Sequence, residues 1–275
     1  MSPQKSTEEL QVIAKRVRRE IIEMIGTAKS GHPGGSLSAV EILISLYFGT
    51  MRHDPANPKW ADRDRFILSK GHASAAWYAA LGARGYFSPE AFQRFRQTGG
   101  MLQGHPDMRK VPGVDMSSGS LGQGISAALG MALAARYLCR AYRVYTLLGD
   151  GEIQEGQVWE AAMAAAHYKV DNLTAILDYN RVQLDGPVGE VMEVEPVADK
   201  WRAFGWAVIS CGDGHDIRAL LAAFAQARTV QGQPAIIIAR TVKGKGVSFM
   251  EHQCSWHGVS DPSRMPEALQ EVRER

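Results

Sequence analysis

Between residues 142 and 241 short apolar runs alternate with longer segments of helical periodicity, and this alternation narrows the possible folds most. The runs lie at 142–148, 173–179, 206–210 and 235–241, with helical patterns at 154–167, 197–204 and 216–230 between them. A strand that is apolar throughout, rather than at every second residue, is buried on both faces. Strand–helix–strand alternation meets that demand with a parallel sheet covered by helices. The sequence therefore predicts an α/β fold: a doubly wound, mostly parallel sheet with helices on both faces. A length of 275 residues suits one such domain, with residues 1–9 and 262–275 as peripheral tails.

The first half is more helical. Ser6 and Glu9 form a capping-box pattern. Behind them Leu10, Ile13, Val17, Ile21 and Met24 recur at helical spacing, up to a stop near Gly26. A second helix is predicted over 37–48, a strand over 65–69 that empties into Gly71-His72, and helices over 73–83 and 119–140. Residues 85–118 carry Gly99-Gly100, Pro106, Pro112 and Gly113 and follow no period. An irregular stretch this long inside a compact domain is functional or disordered. An acidic-hydrophobic connector spans 190–196.

Composition excludes several classes. With 31 Lys+Arg against 29 Asp+Glu, the formal charge of +2 leaves no nucleic-acid arm or polybasic membrane tail. Apolar runs such as 235–239 fall far short of the ~20 residues needed to cross a bilayer. The opening MSPQKSTEEL has no apolar signal core, which points to the cytoplasm. Cys139, Cys211 and Cys254 lack CxxC spacing, so neither a disulfide framework nor a zinc ribbon is expected. His252, Cys254 and His257 form H-x-C-x-x-H, but no fourth zinc ligand is evident.

The chemistry concentrates at Gly149-Asp150-Gly151. Open α/β sheets bind ligands beyond the carboxyl ends of their strands, and an apolar run delivers GDG to that edge. Glycines let the backbone approach a bulky anion, Asp150 offers a hard oxygen, and the helix that follows presents amides suited to phosphate. Asn180 ends the next strand after 28 intervening residues. Its oxygen, with that of Asp150, suits Mg²⁺ or Ca²⁺. A tight turn and a loop-capping Asn would look the same in isolation; two strand ends at this separation favour function.

His32, His72, His105 and His257 each sit beside glycine. Imidazole titrates near neutrality and both donates and accepts, which suits sugar hydroxyls and proton transfer. Glu155 opens the helix after GDG, where it would complement the helix dipole. Lys243 and Lys245 in KGKG bind phosphate or are simply solvated. His215 is expected to be structural or at an interface, His53 and His167 surface or core residues, and Trp256 a packing residue that fixes His257.

Seven segments in this order resemble the transketolase family: SGHPGGSLS (30–38), FILSKGHAS (66–74), LQGHPD (102–107), SSGSLGQGIS (117–126), GDGEIQEG…LDYNRVQLDG, DGHD (213–216) and TVKGKGVSF…WHG (241–258). Within the family the chain is similar to the N-terminal, thiamine-diphosphate-binding subunit of a split transketolase, 1–275 being a single diphosphate-binding domain. The resemblance implies thiamine diphosphate with Mg²⁺ (or Ca²⁺ or Mn²⁺) as cofactors, the metal held by Asp150, Asn180 and the carbonyl of Val182. His72, Gly149, Gly151 and His257 would lie at the cofactor diphosphate. Gly119, Ser120 and Leu121 would flank its bend, with Ser120 where the family commonly has Pro. His32, His105 and His257 would handle the donor's hydroxyls and carbonyl proton.

Glu155 would lie at the dimer interface, in communication with the glutamate that activates the cofactor. That glutamate belongs to a pyrimidine-binding domain which no segment here resembles. The resemblance thus implies a partner subunit carrying that domain, an α2β2 assembly, and sugar phosphate substrates. The implied reaction moves a two-carbon ketol unit from a ketose (phosphate) to an aldose acceptor. Alternatives are the N-terminal half of another thiamine-dependent enzyme, such as a 1-deoxyxylulose-5-phosphate synthase or a 2-oxo acid decarboxylating enzyme, and a non-catalytic regulatory subunit.

Overall fold

The computed structural model describes residues 5–274. Ser6 caps α1 (Thr7–Ala28) as its spacing predicts: the hydroxyl accepts from the Glu9 amide at 3.2 Å, and Glu9 accepts from the Ser6 amide at 2.7 Å. The second predicted helix is two: α2 (Pro33–Ser38) and α3 (Val40–Gly49). It starts four residues before 37, because Pro33 suits a first helical position, where its missing N–H costs nothing. Strand β1 (Arg65–Leu68) leads through a tight turn into α4 (Ser74–Arg84).

The irregular stretch that follows is ordered, pinned by buried Phe95, Leu102, Val111 and Val114. Next comes α5 (Gln123–Tyr137), four residues later than the pattern indicates. Gly122 at φ 83° is left-handed and cannot belong to the helix.

The second half runs β2 (Val144–Gly149), α6 (Gly156–His167), β3 (Leu173–Tyr179), α7 (Val188–Val191), α8 (Val197–Ala203), β4 (Ala207–Cys211), α9 (Ile217–Thr229) and β5 (Ala235–Arg240). All five strands are parallel, in the order β1-β2-β3-β5-β4. The register sets Gly149 beside Asp178 and Asp178 beside Ala239, so the motif-bearing ends of β2, β3 and β5 are level.

Alternate residues of a strand point to opposite faces, and both faces are buried here. Phe66, Tyr145, Ile176 and Ile237 join a core with α1, α3, α4 and α9. Ile67, Leu148, Leu177 and Ile238 join a second core with α5, α6 and α8. Each fully buried Leu or Ile contributes roughly 1.5–3 kcal/mol relative to exposure.

Two expectations need correction. The stretch after 262 is no peripheral tail: it forms α10 (Met265–Glu274), packed on α1 with Met265, Ala268 and Val272 buried. Its apolar residues recur at helical spacing and need a partner. Of the other expected tail, residues 1–4 lie outside the described residues, while Ser6 caps α1 and Thr7–Glu9 open it. No helix among the described residues is long and apolar enough to cross a membrane.

Candidate active site

The carboxyl ends of β1, β2, β3 and β5 bring distant motifs together, and two buried carboxylates join them. Asp178, fully buried at the end of β3, accepts from Lys70 Nζ after β1, from the Ser38 hydroxyl of α2 at 2.5 Å, and from the Thr241 hydroxyl after β5. Burial alone would raise its pKa; the Lys70 ammonium and these donors hold it below the usual carboxylate value. Lys70 Nζ also donates to the Gly35 carbonyl at 2.8 Å. Glu152 accepts from the Ser69 hydroxyl, from the Gly122 amide at 2.9 Å and from the Gly149 amide at 3.0 Å. It thereby joins the ends of β1 and β2 to the loop before α5, with its pKa raised by burial.

His32, His72, His105 and His257 converge on this edge. Ring centroids are 5.3 Å apart for His32–His72, 6.3 Å for His32–His105, 5.5 Å for His32–His257 and 4.9 Å for His72–His257. Burial, with the charges of Arg96, Lys243 and Lys70 nearby, pushes His32 down to about 4 and His257 to about 3. His72 falls well below the ordinary value through burial, and His105, exposed at the rim, also shifts down through partial desolvation and the Arg96 charge. All four are neutral at pH 7. Lys243 Nζ lies 3.0 Å from His257 Nδ1. An ammonium can only donate, so Nδ1 accepts and the proton of His257 rests on Nε2. His32 Nδ1 is buried without a partner among the described residues, as is the Ser118 hydroxyl.

Asp150 stands opposite. Its buried carboxylate accepts from the Gly151 amide at 2.9 Å and from the Arg181 amide, and has no ion-pair partner among the described residues. Burial and the nearby Asp178 charge push it up to about 6. Asn180 Oδ1 accepts from the Val182 amide at 3.1 Å. Lys243 Nζ is 2.8 Å from the Val182 carbonyl, with its own pKa pushed down to about 8 by burial and by Lys70.

This donor set fits a hard divalent cation. It has one carboxylate without an ion-pair partner among the described residues, one amide oxygen and one backbone carbonyl, which also accepts from Lys243, and needs anionic oxygens from a ligand to complete six positions. Two glycines of these motifs are packed too closely for a side chain. A Cβ on Gly151 would lie 2.9 Å from Gln183 Oε1, and one on Gly71 2.8 Å from the Ser118 hydroxyl.

The other expected residues fall around this core. Gly119 lies against His105, while Ser120 and Leu121 are exposed beside them. Glu155 is exposed at the N-cap of α6, not in its first turn, and makes no capping bond. Lys245 pairs with Glu251 at 3.8 Å instead of entering the site. His53 is held by Tyr86 and the Tyr47 carbonyl, and His167 is exposed. Trp256 is buried edge-on to Phe249.

His252, exposed at φ 63°, joins no metal set, and no group of three or more His, Cys, Asp or Glu among the described residues could hold a metal. Sequence reasoning missed Lys70, Glu152 and Asp178, though all three stand inside the FILSKGHAS, GDGEIQEG and LDYNRVQLDG segments, charged in otherwise buried surroundings.

Comparison with known proteins shows the family. Residues 10–268 match the family model described as transketolase, thiamine diphosphate binding domain. The chain is 49% identical over 251 residues to a 6-deoxy-6-sulfo-D-fructose transketolase subunit of Clostridium sp. (strain MSTE9), covering 91% of each. It is 42% identical to one subunit of the apulose-4-phosphate transketolase of Phocaeicola vulgatus, covering 98% of this chain and 95% of that one. The transketolase structure from Campylobacter jejuni superposes with a TM-score of 0.91 at 34% identity, over 98% of this chain but 43% of that one. Fold, motif order and sequence thus place the chain in the transketolase family, whose thiamine-diphosphate-binding domain it carries.

Proposed function

We propose that this chain is the diphosphate- and metal-binding subunit of a two-component transketolase, moving a two-carbon ketol unit from a ketose (phosphate) to an aldose. The observation that carries the reading is the meeting of four neutral histidines at one sheet edge with Lys243, which lies beside His257 and acts on Asp150, a buried carboxylate without an ion-pair partner among the described residues. Relatives named as subunits match over 91% and 95% of their own length, which supports a division of labour between two chains.

Thiamine diphosphate, when bound, supplies the electron sink that lets the bond beside a ketose carbonyl break. Asp150, Asn180 and the Val182 carbonyl hold Mg²⁺ (Ca²⁺ or Mn²⁺ as substitutes), to which the diphosphate supplies further oxygens. Gly149 and Gly151 admit the diphosphate, and His72 and the Nε2–H of His257 contact it. Lys243, already at the Val182 carbonyl, adds a positive charge facing the same polyanion. Gly119, Ser120 and Leu121 form the wall beside the ring system.

His32, His105 and His257, all neutral, each carry one donor and one acceptor nitrogen and so orient sugar hydroxyls and move a proton at the carbonyl oxygen. Glu155, exposed at the head of α6, faces a partner subunit carrying the pyrimidine-binding domain, in an α2β2 assembly. With its cysteines unpaired, the protein suits the cytoplasm.

The test is reconstitution. The purified chain should show no ketol transfer alone and bind thiamine diphosphate weakly; adding the partner subunit with Mg²⁺ should restore transfer from xylulose 5-phosphate. Turnover by the chain on its own would refute the division of labour, and activity with pyruvate but not the ketose would reassign the reaction.

A further inference from the structure

The DGHD segment has no part in the reaction above, yet His215 sits in a buried chain of polar contacts behind the site. Its Nε2 lies 2.9 Å from the Val242 amide and its Nδ1 2.7 Å from Glu41 Oε2. A backbone N–H can only donate, so Nε2 accepts and the ring proton rests on Nδ1, donating to Glu41. Glu41, buried in α3, also accepts from the Arg18 guanidinium at 2.8 Å and 3.1 Å. Arg18, on α1, then donates from Nε to the Lys245 carbonyl at 2.9 Å.

The chain therefore closes on the turn from both sides, at the amide of Val242 and at the carbonyl of Lys245. Between these two points lies Lys243, whose ammonium reaches the Val182 carbonyl and His257. The turn is otherwise confined. Its Lys245 amide donates back to the Val242 carbonyl at 3.2 Å, and a Cβ on Gly244 (φ 78°) would come within 2.3 Å of the Met250 carbonyl oxygen. With the glycine turn crowded and its flanks gripped, Lys243 has a defined direction.

We infer that Arg18, Glu41 and His215 are positioning residues for the diphosphate site, acting by holding the 242–245 turn so that Lys243 points at Val182 and His257. The inference rests on the proposed function only for what Lys243 serves; the grip on the turn stands apart from it. A buried ion cluster that merely joins α1, α3 and the loop before α9 would stabilise the chain without favouring this turn.

Two variants separate these cases. In His215→Asn the side-chain amide keeps a donor near the position of Nδ1 for Glu41 but leaves Val242 without an acceptor. In His215→Gln the longer side chain brings an amide oxygen to the place of Nε2. Hydrogen exchange on the chain alone, without cofactor, should show the Val242 amide exchanging at least tenfold faster in His215→Asn and near wild type in His215→Gln. Calorimetric titration of thiamine diphosphate with Mg²⁺, partner subunit present, should show affinity falling about tenfold for Asn, at the low end of the ~10–100-fold cost of losing a supporting contact, with Gln retaining it.

Equal exchange and equal affinity in the two variants would reduce the cluster to a structural role. If His215→Asn fails to fold, Arg18→Lys takes its place: it keeps a charge beside Glu41 and removes the Nε donor to Lys245. Wild-type affinity in that variant would equally overturn the assignment. A wild-type complex that binds no thiamine diphosphate would sink the functional reading, and the exchange experiment would still decide whether the cluster grips the turn.

Discussion

Asp150 at the end of β2 and Asp178 at the end of β3 are both buried aspartates, on adjacent strands, and their surroundings differ in kind. Asp178 is completed from within the chain: an ammonium and two hydroxyls neutralise and saturate it, and its pKa is held low. Asp150 has two backbone amides and no ion-pair partner among the described residues, the Lys70 and Lys243 charges acting on it only from a distance, and its pKa is pushed up to about 6. A carboxylate whose charge is balanced internally is scaffold. One left unbalanced in the same dry layer is a place where a cation from outside is worth most, since removing a buried charge's partner costs more than the pair gains. The difference separates what holds the site from what the site holds.

Asp150→Asn should have the largest effect and only on function. Activity of the reconstituted enzyme should fall beyond the ~10–100-fold typical of a lost supporting contact, while the urea midpoint of the free chain stays level or rises. Retained activity at saturating Mg²⁺ would reject Asp150 as a metal ligand. Asp178→Asn should do the reverse, leaving Lys70 buried and unpaired at a cost of about 3–5 kcal/mol, read as an early urea transition. Equal stability losses in the two variants would dissolve the contrast. On the histidine side, His257→Ala should lower kcat by about 10²-fold, the low end for a lost acid–base group, and raise the donor KM. Wild-type kinetics would reassign His257 to packing.

The pH dependence sharpens the comparison further. His32 at about 4 and His257 at about 3, with His72 and His105 also lowered, bind fewer protons folded than unfolded below the ordinary value near 6.5. Their contribution to stability is present above that value and is lost as pH falls toward the folded values. Asp150, raised to about 6, and Glu152 and Glu20, also raised by burial, act in the opposite sense above their ordinary values, but three carboxylates face five imidazoles, since burial lowers His53 as well. The chain should lose stability from pH 7 to pH 5, and His32→Gln should flatten that slope. An unchanged urea midpoint across this range would show that the histidines are not held neutral. The smallest effect belongs to Glu155→Gln: as an exposed change it should move the stability of the free chain by no more than ~0.5 kcal/mol, yet weaken association with the partner subunit in sedimentation.

The sequence by itself determined the layered parallel sheet and the location of the site. Apolar runs alternating with helical periods report burial of each local segment, and motifs such as Gly149-Asp150-Gly151, Asn180 and Gly71-His72 stand where those runs stop. Spacing likewise announced the α1 cap. Tertiary structure alone decided which charge completes which: Lys70 meets Asp178 across 108 residues and Ser69 meets Glu152 across 83. It also sent Lys243 into the site and Lys245 outward to Glu251, although the two stand in one KGKG repeat, and it folded the expected C-terminal tail onto α1. The reason is physical. Periodicity records whether a residue is buried, but the free energy of a buried charge depends on partners brought within hydrogen-bond reach by the whole fold.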